Sequence, residues 1–453
     1  MPLVLLLLGL VIATPLPRPA VAETAAETSD AARADADRIA DLERKVEVLT
    51  DELARVRDEV TVPEDRELKS AYGFGPAASK VYGADRGISI GGYGEWFYRS
   101  FVGNDDSGSD SVDGVSISDR QLDRADALRI VTYLGYKFTD SIVFNSEIEY
   151  EHAFIGEDTP SAPSGEVRVE FAALDFFWRE ELNARAGVLL LPMGFLNEVH
   201  EPPYYFGVTR PETETRILPT TWSEMGAGVF GQLGEQVEYR AYLVNGFNAR
   251  GFTDSGIRDG RQKANRALAE DLAFVGRVDW SPAPAWLLGG SLYYGDSGQD
   301  QQIGGIELPQ ASLLVAEGHV QWRHEQWHAR ALFAYNQLSD ARDLNVALGR
   351  ALNRPIAEEM LGGYVELAYD LWPHLSDNLD RSLAPFFRIE YVDTQYDVPS
   401  GFSANDRNRY WVYTPGLQFK PHPNVALKLE YRNFAPRGGE RPDEVSLGMG
   451  FAF

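Results

Sequence analysis

Alternation of apolar and polar residues, broken at regular intervals by turn residues, is the feature that most constrains the fold of this chain after Gly87. In one stretch Leu427, Leu429 and Tyr431 alternate with charged residues. Because successive side chains of a strand point to opposite faces, this period predicts strands with one apolar and one polar face. We predict sixteen strands, over residues 88–102, 125–138, 142–155, 165–178, 182–191, 225–233, 236–245, 271–280, 286–295, 311–323, 327–338, 358–371, 383–394, 408–419, 424–434 and 444–453.

The connections between these strands alternate in length. Tight turns such as FTDS and GEQ follow the even-numbered strands, and long loops such as 103–124, 192–224, 246–270 and 339–357 follow the odd-numbered ones. Short turns on one side and long loops on the other are typical of barrels that cross a membrane. A soluble β-sandwich would show the same alternation of residues without this alternation of connections. We therefore predict an all-β fold, a 16-stranded antiparallel transmembrane β-barrel over residues 88–453.

The first 22 residues, MPLVLLLLGLVIATPLPRPAVA, predict a signal peptide. A short apolar core is followed by the small residues Ala20 and Ala22, which suit cleavage by a signal peptidase. A short membrane anchor is the alternative.

Residues 23–62 predict an α-helical coiled coil. Apolar residues recur there at alternating steps of three and four, which is the heptad pattern of a helix that buries one seam. We expect the seam to mediate self-association, and packing against another part of the chain is the alternative. Because both ends of an even-stranded barrel lie on its short-turn side, the coiled coil is expected in the periplasm. Residues 63–87 are predicted to be a linker, and the seam consists of Ile39, Leu42, Val46, Leu49, Leu53, Val56 and Val60.

Composition excludes several classes of function. The formal net charge of −26 argues against nucleic acid as a partner, because phosphate binding needs a basic surface. The chain has no cysteine and no P-loop motif. The acidic stretch 103–114 lacks the final glutamate of the twelve-residue calcium loop. We therefore expect no enzyme, no cofactor and no metal site.

The stretch GVLLLPMGFLNEVHEPPYYFGVTRPETETRILPTTWSEMGAGVFG resembles part of the phosphate-selective porin O and P family and its relatives that carry a coiled coil. In that family this segment runs from the fifth strand through the third long loop into the sixth strand. The resemblance implies a homotrimeric porin in the bacterial outer membrane, in contact with lipid and lipopolysaccharide. It also implies passive diffusion of small hydrophilic, charged solutes. Phosphate selectivity does not carry over, because the chain has only seven lysines and its third long loop is acidic.

Two sets of residues are predicted to set the field inside a water-filled barrel. Loop 192–224 is expected to fold inward and narrow the pore, although it could instead lie on a neighbouring subunit. Its charged residues are Glu198, His200, Glu201, Arg210, Glu212, Glu214 and Arg216. Inward strand positions would form the opposite wall and could either select solutes by charge or merely pair with one another. These positions are Arg240, Arg277, His319, Arg323, Arg330, Glu366, Arg388, Glu390, Lys428 and Arg432.

The chain ends in VSLGMGFAF, whose odd positions are apolar and whose even positions are small. This pattern predicts a closing strand with its apolar face toward lipid and its small residues toward the interior. The terminal Phe453 resembles the signal by which outer-membrane assembly machinery recognises its clients. The alternative function is structural, in which the coiled coil and loops tether the outer membrane to the cell wall or act as an adhesin.

Overall fold

The structure is a computed structural model, and it forms two compact units, residues 1–61 and 62–453. In the first unit a helix extends over residues 38–52, and the seam residues Ile39, Leu42, Val46 and Leu49 within it are exposed. The remaining seam residues and the predicted signal peptide lie outside the described residues, so the coiled coil stays a prediction. No helix among the described residues is long and apolar enough to span a membrane. The structure describes residues 38–52, 68–102, 111–112, 115–116, 123–153, 165–378 and 380–453.

The second unit contains a closed antiparallel barrel of sixteen strands, which confirms the predicted fold class and strand count. The predicted strand limits differ from the observed ones by a few residues, most clearly where the third strand ends at Glu151. The strands, numbered here as β1 to β16, are Gly87–Val102, Arg124–Thr139, Ile142–Glu151, Val167–Arg179, Leu182–Leu190, Ser223–Leu233, Val237–Asn245, Leu272–Ala283, Trp286–Gly295, Leu313–His324, Trp327–Leu338, Glu359–Tyr369, Ser382–Asp397, Arg409–His422, Val425–Pro436 and Asp443–Ala452.

Short elements lie in the connections. The β11–β12 connection contains the α-helix Ala341–Ala347, and the β5–β6 connection contains the π-helical turn Thr213–Ile217. The other helical turns are Ala78–Gly83, Pro202–Tyr204, Ala249–Gly251, Arg258–Gly260, Trp372–His374 and Asp406–Asn408, and two-residue ribbons pair Ser111–Val112 with Val115–Ser116 and Gln302–Ile303 with Ile306–Glu307.

The C-terminal strand closes the barrel. Strand β16 pairs with β1 in a register that places Trp96 opposite Met449. Beyond the strand, the Phe453 N–H donates to the Gly92 carbonyl at 2.9 Å, and the Gly92 N–H donates back at 3.0 Å. The terminal residue therefore extends the last ladder, and the sheet has no free edge for another chain to pair with.

Alternation along the strands separates an exposed apolar face from a buried inner face. On β16 Leu447 and Met449 are exposed, whereas Ser446 and Gly450 are buried. The same sense holds on β15, where Lys428 is buried between exposed leucines. Such an apolar outer face suits contact with lipid, in which every backbone group must be paired within the barrel.

The interior contains an apolar core in addition to the predicted charged residues. At the long-loop ends of the strands the inward positions are apolar and form a core with the loops, to which Trp222, Phe247, Tyr293 and Leu313 contribute. Charged inward residues lie nearer the middle of the strands, in a charged belt whose buried arginines include Arg129, Arg185, Arg240, Arg277, Arg388 and Arg432. Alternation along the strands predicted the charged belt. It did not predict the apolar core, because that core forms between strand residues and residues of the long loops, and alternation says nothing about the loops.

Candidate functional site

The connection between β5 and β6, residues 191–222, contacts inward-facing residues on most sides of the barrel, and we call it the inner loop. Its first part contacts β3 and β7, and its last part contacts β12 to β15. These strands lie on opposite walls of the closed sheet. The inner loop therefore crosses the interior.

In the first part of the inner loop, three charged or ionisable residues are buried and bonded. The Arg240 guanidinium donates to Glu198 at 2.9 Å, and His200 Nε2 lies 3.2 Å from a carboxylate oxygen of Glu147. The Glu201 carboxylate accepts the backbone N–H groups of residues 77 and 78 at 2.9 and 3.2 Å. Burial raises the pKa of Glu201 to about 8, although these N–H groups lower it. Glu201 is therefore largely protonated at neutral pH.

The inner loop turns around Tyr205. The Tyr205 hydroxyl donates to Glu95 on β1 at 2.8 Å. From β15, next but one to β1 in the barrel, the Lys428 ammonium donates to the Gly207 carbonyl at 2.8 Å and lies 3.6 Å from the centre of the Tyr205 ring. Lys428, predicted as a wall charge, thus holds the loop by a hydrogen bond and a cation–π contact.

In the last part of the inner loop, carboxylates connect it to β12, β14 and β15. Glu430 accepts the backbone N–H groups of residues 208 and 209 at 2.9 and 3.0 Å. Glu212 pairs with Arg432 and accepts the Tyr410 hydroxyl at 2.8 Å. Burial alone would raise the pKa of Glu212, but Arg441 and Arg432 hold it well below its usual value. Glu212 is therefore an ionised anchor.

Glu214 has a different environment from Glu212. Its two oxygens accept the Leu196 N–H and the Tyr364 hydroxyl, each at 2.7 Å. Burial raises the pKa of Glu214. Glu214 thereby connects the two parts of the inner loop to β12.

The two predicted arginines of the loop differ from each other. Arg216 is partly exposed and pairs with Glu212 at 3.4 Å. Two guanidinium nitrogens of Arg210, Nε and Nη2, are buried and have no hydrogen-bond partner among the residues that the structure describes. Most charged loop residues are therefore anchors bonded to the wall, and Arg210 is the one whose charge the described contacts leave least satisfied.

The predicted wall residues on β7, β8 and β10 converge on one carboxylate. Asp279 accepts from Arg240 at 2.5 Å and from Arg277 at 2.8 Å, and it lies 2.9 Å from His319 Nε2. The other ring nitrogen of His319 lies 2.9 Å from Glu317. Arg240 and Arg277 are therefore neutralised by this network rather than left as bare charges on the wall.

The remaining wall residues fall into two groups. Arg388, fully buried, donates to Glu390 at 2.7 Å and to Glu366 at 3.2 Å. By contrast, Arg323 and Arg330 form no ion pair among the described residues, and Arg323 is exposed. Most charged residues of the predicted wall therefore form ion pairs. The exceptions, Arg323 and Arg330, leave a local excess of positive charge.

Small residues on β16 make room for the inner loop. A Cβ atom added at Gly450 would lie 2.3 Å from Pro202, and one added at Gly448 would lie 2.9 Å from Val208. Both distances are shorter than a normal contact between carbon atoms. The small even positions of VSLGMGFAF thus allow the inner loop to approach the wall.

A second inward segment, residues 68–86, was not predicted as part of the site. It precedes β1, and its Phe74 ring stacks on Phe171 at 4.5 Å and lies under the Arg185 guanidinium at 4.2 Å. Asn145 donates to the carbonyl of Ala78 at 2.9 Å. The stretch was predicted to be a linker because it is irregular and rich in glycine. The aromatic residue next to two glycines was the signal that indicated packing.

A pair of arginines outside the inner loop fixes its C-terminal end. Arg258 and Arg261 both donate to the Thr220 carbonyl at 2.6 Å and to the Thr221 hydroxyl at 3.2 Å. Thr221 has a φ of 56°, which is rare for a β-branched residue. These contacts hold the loop in a strained conformation, and no pattern in the sequence indicated them.

Comparisons with known proteins agree with this architecture. Residues 232–452 match the family model described as "Putative beta-barrel porin-2, OmpL-like". An uncharacterised protein of Aquifex aeolicus is 36% identical over 387 residues, which cover 83% of this chain and 82% of the relative.

Among solved structures, the outer membrane channel DcaP of Acinetobacter baumannii is similar with a TM-score of 0.49 and 13% identity, over 81% of this chain and 97% of that one. Salmonella typhi OmpF, in a complex with daunomycin, is similar with a TM-score of 0.48 and 12% identity, over 82% of this chain and 98% of that one. The Aquifex relative, at 36% identity over most of both chains, shows that this chain belongs to the same family, and the chain is a porin-like β-barrel whose strands from β7 onward match the beta-barrel porin-2 model.

Proposed function

We propose that this protein is an outer-membrane porin through which small hydrophilic, charged solutes diffuse passively, along a path that the inner loop narrows. The observation that carries the proposal is the combination of a closed barrel, an apolar outer face and a segment bonded to charged residues on opposite inner walls. A polar path between such charges would orient solutes and select them by charge.

The size of the path is tested by labelling, because the chain has no cysteine and any introduced thiol is unique. The Tyr204→Cys variant places a thiol on the inner loop. After reaction with a bulky thiol reagent, its conductance in planar bilayers should fall. The matched control is Leu447→Cys on the exposed face of β16. Equal conductance of the labelled Tyr204→Cys protein, with labelling verified by mass, would contradict a path beside the inner loop.

Deletion of residues 198–216 is the complementary experiment. Removing this part of the inner loop should raise single-channel conductance, because the loop then no longer occupies the interior. Because the deletion also removes the anchors Glu201 and Glu212, folding has to be verified first by the change in gel mobility on heating. An unchanged conductance of the folded variant would refute narrowing by the loop.

The helix over residues 38–52 supports a proposal about assembly. Its seam residues are exposed in the single chain, so their burial requires a partner. Three copies joined through this coiled coil in the periplasm would bury them and give the homotrimer. Replacing Leu42 and Leu49 by Ser should reduce the mass of the complex measured by light scattering, if the seam contributes to the trimer.

The exposed seam also supports the second candidate function, a tether between outer membrane and cell wall or an adhesin. A filled interior would suit such a protein, because it needs no solute path. Swelling of liposomes with uncharged sugars distinguishes the two. Sugar flux through the purified protein would support the porin, and its absence together with absent ion conductance would favour the structural function.

A further inference from the structure

Three basic side chains at the short-turn end of the interior lack a carboxylate partner within the described part of the chain. They are Arg323 on β10, Arg330 on β11 and Lys420 on β14, and we call them the basic cluster. None of the three forms an ion pair among the residues that the structure describes, whereas the central arginines Arg240 and Arg388 each contact two carboxylates. The chain has 68 acidic and 42 basic residues, so acidic residues are in excess overall. A group of cations without carboxylate partners therefore reflects where the fold places these side chains, not the composition of the chain.

One neutral oxygen bridges the two guanidinium groups of the cluster. Gln321 Oε1 accepts from Arg330 Nε at 3.1 Å and from Arg323 Nη2 at 3.3 Å. His328 cannot compensate their charge, because an imidazole is either neutral or cationic; its Nε2 accepts from Arg323 Nε at 3.2 Å. An amide oxygen thus lies where an ion pair would need a carboxylate.

Two acidic residues of neighbouring strands and turns are engaged elsewhere. Glu366 lies opposite Arg330 in the β11–β12 register, but it accepts from Arg388 at 3.2 Å. Asp370 accepts the backbone N–H groups of residues 372 and 383 at 2.9 and 3.0 Å. Neither carboxylate contacts the basic cluster.

The cluster lies beside the inner loop and reaches solvent. Arg330 donates to the Tyr204 carbonyl at 3.0 Å, and the Lys420 ammonium lies 5.5 Å from the centre of the Tyr204 ring. Arg323 is exposed and Lys420 is half-buried. A solute that passes the deepest part of the inner loop would therefore meet these cations at the short-turn mouth.

We propose that Arg323, Arg330 and Lys420 form a binding site for the carboxylate or phosphate group of a small anionic solute. Guanidinium groups match both anions by paired N–H donors, and the ammonium adds a point charge. In a confined site, unneutralised like charges attract anions more strongly than exposed lysines do. This site would identify the class of solute in the proposed function. Only the statement that the bound anion is on its way through the barrel rests on that function.

Binding is measured by isothermal titration of the full chain in detergent at low ionic strength, with inorganic phosphate and succinate as separate probes. Saturable binding that weakens with added salt is expected for at least one probe. The probe that binds identifies the group that the site takes. Absence of binding for both would overturn the proposal.

The decisive variant is Gln321→Glu, which keeps all three cations and places a carboxylate between Arg323 and Arg330. This internal anion should weaken binding of the probe by about tenfold or more. Arg323→Gln should weaken it as well. The matched control is Arg437→Gln, which removes an exposed arginine that pairs with Asp406 at the other end of the barrel.

Folding of each variant is verified by the change in gel mobility on heating. Binding by folded Gln321→Glu that equals the wild type would refute the site. Because binding is measured without ion flux, the two proposals fail separately. A protein that binds phosphate or succinate but does not conduct would refute the porin and keep the site, and a conducting protein that binds neither would do the opposite.

Discussion

The apolar core near the long loops and the charged belt in the middle of the barrel occupy the same interior, but apolar packing stabilises the core and ion pairs stabilise the belt. In the core, Trp222 packs against Phe247 and Tyr293 at ring distances of 4.7 and 4.9 Å. In the belt, Arg388 is equally buried but contacts two carboxylates. Core residues are stabilised by the apolar area that they bury, so their contribution should scale with volume. Belt residues lose hydration on burial, and each is tolerated only while its partner remains.

The comparison also explains how the inner loop is held. Its ends pack in the apolar core through Leu191 and Trp222, while its middle is bonded to the charged belt. Apolar contacts tolerate small displacements, whereas a hydrogen bond fixes both distance and direction. We infer that the core keeps the loop inside the barrel and that the belt sets its exact position there.

The largest effect is expected from breaking one ion pair in the belt. Arg388→Ala leaves Glu366 and Glu390 buried without their shared partner, which should lower the free energy of unfolding by about 3–5 kcal/mol. The measurement is equilibrium unfolding by guanidinium in detergent. Arg437→Ala is the matched control, because its pair with Asp406 is exposed and should contribute about 0–1 kcal/mol. An equal decrease in the free energy of unfolding for the two variants would mean that burial does not strengthen the dependence of an ion pair on its partner.

A pH effect should distinguish the protonated anchor Glu201 from the ionised ones. Burial raises its pKa to about 8 from an ordinary value of 4.5, so the folded chain keeps a proton that the unfolded chain releases between these values. Stability should therefore fall as pH rises from about 4.5 to about 8, by up to about 1.4 kcal/mol per pH unit. In Glu201→Gln, which keeps the acceptor for the backbone N–H groups, this contribution should vanish.

The control for the pH experiment is Glu235→Gln, which changes an exposed glutamate in a short turn. The quantity compared is the difference in unfolding free energy between wild type and variant at pH 5.5, 6.5 and 7.5. A difference that stays constant with pH for Glu201→Gln would show that Glu201 is ionised in the folded barrel.

The features that follow from local sequence patterns could be predicted, whereas those that depend on contacts between residues far apart in the sequence could not. Strand pairing follows period-2 alternation, so all sixteen strands and the inward sense of Lys428 and Arg388 could be predicted locally. The partners of those charges could not, because Lys428 and Gly207 are 221 positions apart and meet only after the barrel closes. The inner loop was recognised by its length, but the bonds that Arg258 and Arg261 donate to Thr220 depend on the path of two loops.

A smaller effect is expected where the inner loop touches β16. Gly450→Ala places a Cβ atom 2.3 Å from Pro202, so the loop or the strand has to shift. Overpacking of this kind should lower the free energy of unfolding by about 1–3 kcal/mol. Gly318→Ala is the matched control on β10, because the nearest atom to its added Cβ is 4.0 Å away. If both variants were as stable as the wild type, the inner loop would not rest on β16.

The smallest effect should come from trimming the apolar core by one methylene group. Ile217 is completely buried there, and Ile217→Val should lower the free energy of unfolding by about 0.5–1.5 kcal/mol. The cost should be the same at low and high ionic strength, because no charge is exposed or unpaired by the change. The loss of unfolding free energy caused by Arg388→Ala should instead vary with salt. The variant leaves two buried carboxylates without their partner, and added ions stabilise these carboxylates when unfolding exposes them. A salt-dependent cost for Ile217→Val would show that the core and the belt are coupled through the inner loop, and the two regions would then act as one unit.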